Sequence, residues 1–434
     1  MSCQLRMFRL RQRFPRPRLE DVPGQVHREL EKLQLHRRVQ PGQQVAITAG
    51  SRGIANIVPI LRAVVDHLKG LQLRPFIVPA MGSHGGGTAD GQREVLATYG
   101  ITEEAMGCPI RATMETVVLC HTPEGIPVHF DRYAHGADHV VVVGRVKPHT
   151  DFVGEIESGL MKMMLIGLGK HEGAKVYHRA IQDYSFGQIL RSVAHRVMES
   201  VSILAGVAIV ENGYDETALI EAVEPREFES REKELLQKAR QWMPRLPFRQ
   251  AELLIIDQIG KNISGSGMDT NVVGRKLRWH EAAPEEWPKI KRIWIRSLTP
   301  ETHGNAAGIG GAEFISRRVL DQIDLRITKI NCLTGGGPIG AMLPVWFDTE
   351  REIFQAALST VGLTPPEKAR VMWIRNTLQV AEVECSEAYW PQAQERDDLE
   401  VLTQPRPLQW NDQGELENRF GPVDQAAVLG TVFG

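Results

Sequence analysis

Lys162 sits inside Leu160–Leu168, a run that is apolar on nearly every helical face. A helix that is hydrophobic all round is normally buried. An ammonium placed in it either snorkels to an edge or loses its charge through a lowered pKa. A deprotonated lysine in a desolvated pocket is a nucleophile able to bond a carbonyl-like carbon. For this lysine taken alone, pairing with Glu155 or Glu157, or reach to solvent, is the stronger account. Its company changes the balance: His149 lies thirteen residues before it, His178 sixteen after, and His84 on a separate glycine-rich turn. Acid/base exchange at a carbon needs two imidazoles on opposite faces of a substrate, each titrating near the working pH. A third imidazole can ligate a late first-row metal through its neutral nitrogen. His121, His129, His135, His139 and His171 compete for these roles. No His-Glu-x-x-His spacing occurs among them, so spacing alone names no metal.

Short apolar runs must position these groups. Val45–Ala49, Phe76–Met81, His139–Val146, Ile203–Val210, Leu253–Ile259, Ile293–Leu298 and Ile327–Leu333 read as buried strands. Ile54–Lys69, Thr88–Tyr99, Gly187–Met198 and Ala312–Ile323 read as amphipathic helices, and a helix carrying Lys162 is expected to begin near Ser158. Strand, turn, helix, strand is the signature of an α/β architecture with mostly parallel sheets. The charged stretch from Glu224 to Gln250, closed by Pro244 and Pro247, marks a junction between two α/β domains, 1–240 and 250–434. The stretch from Tyr389 to Gly421 lacks periodicity and is expected to be irregular.

Three of the strands run into glycine turns: Gly50-Ser51-Arg52-Gly53, Gly82-Ser83-His84-Gly85-Gly86-Gly87-Thr88, and Thr334-Gly335-Gly336-Gly337-Pro338. Converging backbone N–H groups before a helix favour phosphate or carboxylate, and Arg52 adds a bidentate partner for an oxyanion. None matches G-x-G-x-x-G or the Walker lysine pattern, so no nucleotide follows from them, and tight βα turns alone also account for the glycines.

The totals exclude other classes. A net charge of −2, with 24% charged residues, argues against nucleic acid or an acidic membrane as the main partner. No apolar run reaches the roughly 20 residues needed to span a bilayer, and the basic start lacks the apolar stretch of a secretory signal. The five cysteines are scattered, as expected of reduced thiols in a cytoplasm.

Gly82-Ser83-His84, His149, Ser158-Gly159-Leu160-Met161-Lys162 and His178 together resemble the nickel-dependent lactate racemase family and its 2-hydroxyacid racemase and epimerase homologues. The resemblance covers about Val45–His178 and extends more weakly to Gln258-Ile259-Gly260-Lys261. It implies two α/β domains with an active-site cleft between them. It also implies a nickel-pincer nucleotide, a pyridinium-3,5-bisthiocarboxylic acid mononucleotide with nickel, attached covalently to Lys162 as a thioamide. By the same resemblance His178 ligates nickel, and His84 and His149 exchange the substrate's hydroxyl proton. Arg52, Ser83 and Gly85 lie around the cofactor, and Lys261 with Gln258 hold the substrate carboxylate. The implied partners are a 2-hydroxyacid and the enzymes that make the cofactor. The interval from His149 to Lys162 is longer than in the lactate racemase pattern, and Ala49 stands where the family has an acidic residue. The second departure points away from lactate itself and leaves larger 2-hydroxyacids, sugar acids included, open. The alternatives are a nicotinamide- or metal-dependent hydroxyacid oxidoreductase, and a non-catalytic sensor or carrier of an anionic metabolite.

Overall fold

Near its start the chain alternates arginine with apolar residues, and it forms a strand there. In Arg6–Gln12 (β1) Met7, Phe8 and Leu10 are buried while Arg6 and Arg11 face solvent. The computed structural model describes residues 5–51, 53–276 and 287–421. These fold as two compact units, one of residues 15–243 and one of residues 244–421 joined by 5–14. Against the expected division into 1–240 and 250–434, β1 belongs to the later unit, because its ladder partners come from the C-terminal half. A first strand that pairs far along the chain leaves no local trace.

The unit of residues 15–243 is built on β2 (Gln44–Ala49), β3 (Arg74–Pro79), β6 (His139–Arg145), β7 (Ile203–Glu211) and β8 (Thr217–Val223), with a separate hairpin of β4 (Thr116–His121) and β5 (Pro127–Asp131). The main sheet has the order β3-β2-β6-β7-β8, parallel except for β8. Its helices are α1 (Val22–Lys32), α2 (Ile57–Gly70), α3 (Ala89–Thr98), α4 (Leu160–Lys162), α5 (Lys170–Asp183), α6 (Phe186–Ser200) and α7 (Phe228–Trp242), besides short turns. Parallel strands buried on both faces read as continuous apolar runs, and β6 shows why. Val140 and Val142 enter one core with Leu160, Met164 and Ile189, while Val141 and Val143 enter another with Ile60, Leu61 and Val64.

α4 lies unusually close to this sheet. A Cβ at Gly144 of β6 would stand 3.2 Å from the backbone carbon of Gly159, and one at Gly206 of β7 would collide with Leu160 and come within 2.7 Å of the Phe228 ring. Glycine at strand positions that another backbone approaches is the expected device.

The other unit carries a nine-stranded sheet. Its parallel part is β9 (Gln250–Ile256), β10 (Lys289–Ile295), β11 (Phe314–Ser316), β12 (Val345–Phe347) and β13 (Val371–Ile374), in the order β12-β11-β10-β9-β13. β14 (Glu382–Ser386), β1 and β15 (Leu399–Val401) continue it antiparallel, and β16 (Arg406–Pro407) pairs with β1. Fold class is therefore mixed α/β with mostly parallel sheets, as expected. Between residues 312 and 334 the reading changes. Ala312–Ile323 is a short strand, β11, followed by α8 (Arg317–Gln322), and the expected strand Ile327–Leu333 is helix α9 (Leu325–Thr334). Asp324 caps α9 by accepting from the backbone N–H of Arg326 and Ile327. The third glycine turn thus follows a helix and not a strand. In the stretch expected to be irregular, a short helix (Trp390–Gln394) and strands β15 and β16 form. Among the described residues no helix is long and apolar enough to cross a membrane.

Gly206→Ala should cost roughly 1–3 kcal/mol, the usual penalty of overpacking a filled core, because the new methyl group meets Leu160 and Phe228. Urea unfolding followed by circular dichroism reads it. An unchanged midpoint would mean that α4 is free to move off the sheet.

Candidate functional site

β2, β3 and β6 end on the same side of the parallel sheet, where crevices bind ligands in open α/β folds. The turns that follow them gather around the segment from α4 to α5. Gly50, after β2, faces Met163, with a Cβ there 3.2 Å from the Met163 methyl. Gly82, after β3, faces Ile166 and Ala174, the latter at 3.2 Å. Residues 147–158, after β6, lead directly into α4.

That last loop is held by its own polar residues. Glu157, buried, accepts from the backbone N–H of His149 (2.7 Å) and Gly154 (2.9 Å) and pairs with Arg240 at 2.6 Å. Ser158 accepts from Lys147 N–H at 2.7 Å and donates to Lys147 O at 2.5 Å. Glu155 pairs with Arg191 and Lys233. Both carboxylates weighed as partners of Lys162 thus carry other cations.

α4 then starts from Gly159, whose φ of 112° suits glycine. Its first N–H groups, on Leu160 and Met161, are met by the carboxyl of Glu232, which reaches in from α7 and is fully buried. Burial pushes that carboxyl up to about 8, against the opposing pull of the two N–H donors. After Lys162 the helix widens into a π-helical turn, Met163–Gly167, a feature frequent at functional sites.

Lys162 is half-buried rather than sealed. Its Nζ lies 5.9 Å from the centre of the Phe186 ring, within the range of a cation–π contact. Phe186 stacks on Phe152 (4.4 Å), and Phe152 stacks on His149 (4.6 Å), so Lys162 and His149 share one aromatic ledge. The backbone N–H of Asp151 donates to His149 Nδ1 at 3.0 Å, which leaves the neutral ring with its proton on Nε2. Phe186 and Phe152 escaped the sequence reading. A signal for the first was present, since Ser185 caps α6 by accepting from Gln188 N–H, three residues on.

His84 and Ser83 are exposed on the turn after β3, and Gly85 within it has a φ of 64°. A Cβ at Gly85 would run into the backbone of Gly91 and Gln92. His178 is half-buried on α5. Residues four apart share a helix face, so Lys170, Ala174 and His178 form one stripe. Ala174 meets Gly82, which sets His178 one turn further along the face that the His84 turn lies against. Among the described residues no three metal-ligating side chains cluster. Gln258 and Lys261 follow β9 in the other unit, where the Lys261 ammonium donates to Gly265 O. Arg52 lies outside the described residues. The structure therefore groups Lys162 with His149, and puts His84 and His178 on elements packed around the same helix pair.

Strand-end turns of a parallel α/β sheet, gathered here around the segment that carries Lys162, are where such folds bind small molecules. Residues 20–186, which carry all four, match the lactate racemase N-terminal domain. This match supports the lactate racemase family and a racemase-type function. No curated protein matches the sequence. A solved structure of the lactate racemase apoprotein from Thermoanaerobacterium thermosaccharolyticum is 13% identical, aligned over 75% of this chain and 95% of that one with a TM-score of 0.44, a likeness too distant to carry a residue's role across.

Glu232 makes the anchoring of α4 pH-dependent. Its unfolded value is near 4.5 and its folded value about 8, so between them the unfolded chain releases a proton that the folded chain keeps. Stability from this group is full below pH 4.5 and falls as pH rises towards 8. In Glu232→Gln that slope disappears. The variant should gain on the wild type by about 1.4 kcal/mol per pH unit at most across the window, read from urea midpoints at several pH values. Parallel pH profiles would refute the buried, proton-retaining carboxyl.

Proposed function

We propose that the chain is a racemase or epimerase that inverts C2 of a 2-hydroxyacid, using a nickel-pincer nucleotide tethered to Lys162. The observation that carries this reading is the shared aromatic ledge of Lys162 and His149, set among strand-end turns in a domain of lactate racemase type.

The residues fit such a group. A half-buried amine over an aromatic ring remains reachable for acylation, and as a neutral amide it would no longer need a counter-charge. The turns at Gly82 and Gly85 bring backbone close where side chains would collide. A pincer supplies most of nickel's donors itself, so one imidazole, His178, suffices on the protein side, and imidazole suits nickel. Lys162 would hold the group covalently, with Arg52, Ser83 and Gly85 around it. When bound, the group supplies a carbon that takes up and returns hydride. His84 and His149 move the hydroxyl proton, one for each face of the substrate carbon. His149 is poised as the donor, since Asp151 N–H already occupies its Nδ1. The ledge of Phe152 and Phe186 keeps water from one side of the site.

Protein co-expressed with the cofactor-making enzymes should hold about one nickel per chain, show a mass adduct on the peptide containing Lys162, and exchange isotope at C2 of a 2-hydroxyacid. Lys162→Ala should lose the adduct and at least about a thousandfold in activity, as removal of a covalent anchor requires. A fully active Lys162→Ala would end the reading, and net NADH formation with a hydroxyacid would favour an oxidoreductase.

A further inference from the structure

Eight residues after Lys162 stands a second lysine that the proposed chemistry leaves unused. Lys170 is fully buried, and its φ of 55° lies in the left-handed region that residues with a Cβ rarely adopt. Its ammonium donates to Pro79 O (2.7 Å) and Gln92 Oε1 (2.6 Å), and lies 3.5 Å from Asp131 Oδ2. Gln92, also fully buried, passes the connection on by donating its amide to Met81 O at 2.9 Å and Gly82 O at 3.0 Å. Asp131 ends β5 and accepts from Ala134 N–H at 2.9 Å. One amine therefore ties the end of β3, helix α3, the end of β5 and the start of α5. Burial pushes the lysine down and the aspartate up, and each opposes that shift in the other.

The backbone of Lys170 has a second effect. The π-helical turn that follows Lys162 ends at Gly167, and α5, which carries His178, begins at Lys170. The left-handed residue is thus the corner between the Lys162 helix and the His178 helix, while its side chain grips the strand that leads into the His84 turn. Sealing an ammonium in a core and holding a non-glycine residue in this region are both unfavourable. An apolar residue would avoid the first cost, and only glycine would avoid the second.

We infer that Lys170 is a positioning residue, which sets the His84 turn in register with the helices that bear Lys162 and His178. Its consequence for catalysis rests on the proposed function, but its effect on the turn does not.

Two variants test it. Lys170→Met keeps an unbranched stem and removes the amine. Gln92→Leu leaves the lysine and cuts the link to Met81 and Gly82. In both, amide hydrogen exchange of peptides covering residues 79–91 should speed up about tenfold or more while β7 stays protected, since local opening need not follow global unfolding. In enzyme loaded with cofactor, both should lower kcat by about a hundredfold, the scale of an ångström's misplacement, with KM within about twofold and the adduct on Lys162 retained. Lys170→Arg, which keeps the cation, should recover part of kcat. Unchanged exchange at residues 79–91 in both variants overturns the inference, and so does equal acceleration in β7, which would make the network a general stabiliser. Should the loaded wild type show no isotope exchange at C2, the proposed function fails, and the exchange pattern still decides the role of Lys170.

Discussion

The backbone of Gly159 rests against Gly144 because Gly144 has no Cβ, and that contact sets the depth of everything on residues 160–167. Leu160 fills the space left by Gly206, and the Glu232 carboxyl closes the helix start from behind. With the front of the helix fixed in this way, Lys162 emerges at the carboxyl ends of the parallel strands instead of over the middle of the sheet. The π-helical turn then rotates the following residues, so that Met163 meets Gly50 and Ile166 meets Gly82. One close approach thus governs which turns can reach the lysine.

What makes that approach tolerable is polar satisfaction. A carboxyl as buried as Glu232 is costly when ionised, and its elevated pKa means that near neutral pH it is largely a protonated acid held by two backbone donors. Glu157 is a contrasting case a few residues away. It too is buried, but Arg240 and two backbone N–H groups surround it. The first carboxyl anchors a helix to the core; the second shapes the loop that holds His149.

Much of this was legible in the sequence, for identifiable reasons. Strands β2, β3, β6, β7 and β9 and the second half of β10 read as apolar runs because both their faces are buried, and such runs survive any uncertainty in register. Helices α2, α3 and α6 carry one apolar stripe each. The failures lie where local pattern and tertiary role part company. Leu325–Thr334 contains the β-branched Ile327 and Ile330 and the apolar Leu333, yet it is a helix that turns these side chains outwards and buries Thr328 and Cys332 instead. A rule that equates apolar with interior misreads it. β1 has no neighbour in sequence to pair with. The order of His84, His149, Lys162 and His178 was readable because it is a matter of residue type and interval, whereas the aromatic ledge beneath Lys162 depends on Phe186 arriving from a helix that begins 24 residues later.

The two lysines of this segment show where spacing ceases to inform. Both follow an apolar stretch in the sequence, and only the fold distinguishes them. Lys170 has three oxygen atoms arrayed around its nitrogen and no exposure, so nothing the size of a nucleotide can reach it once the chain is folded. Lys162 keeps part of its surface and lies over an aromatic face. A lysine that must be acylated by a bulky group after folding needs that exposure. Complete burial, which first drew notice to Lys162, would have prevented its loading. The half-open amine is therefore the better candidate for a tether, and the sealed one for a structural pin.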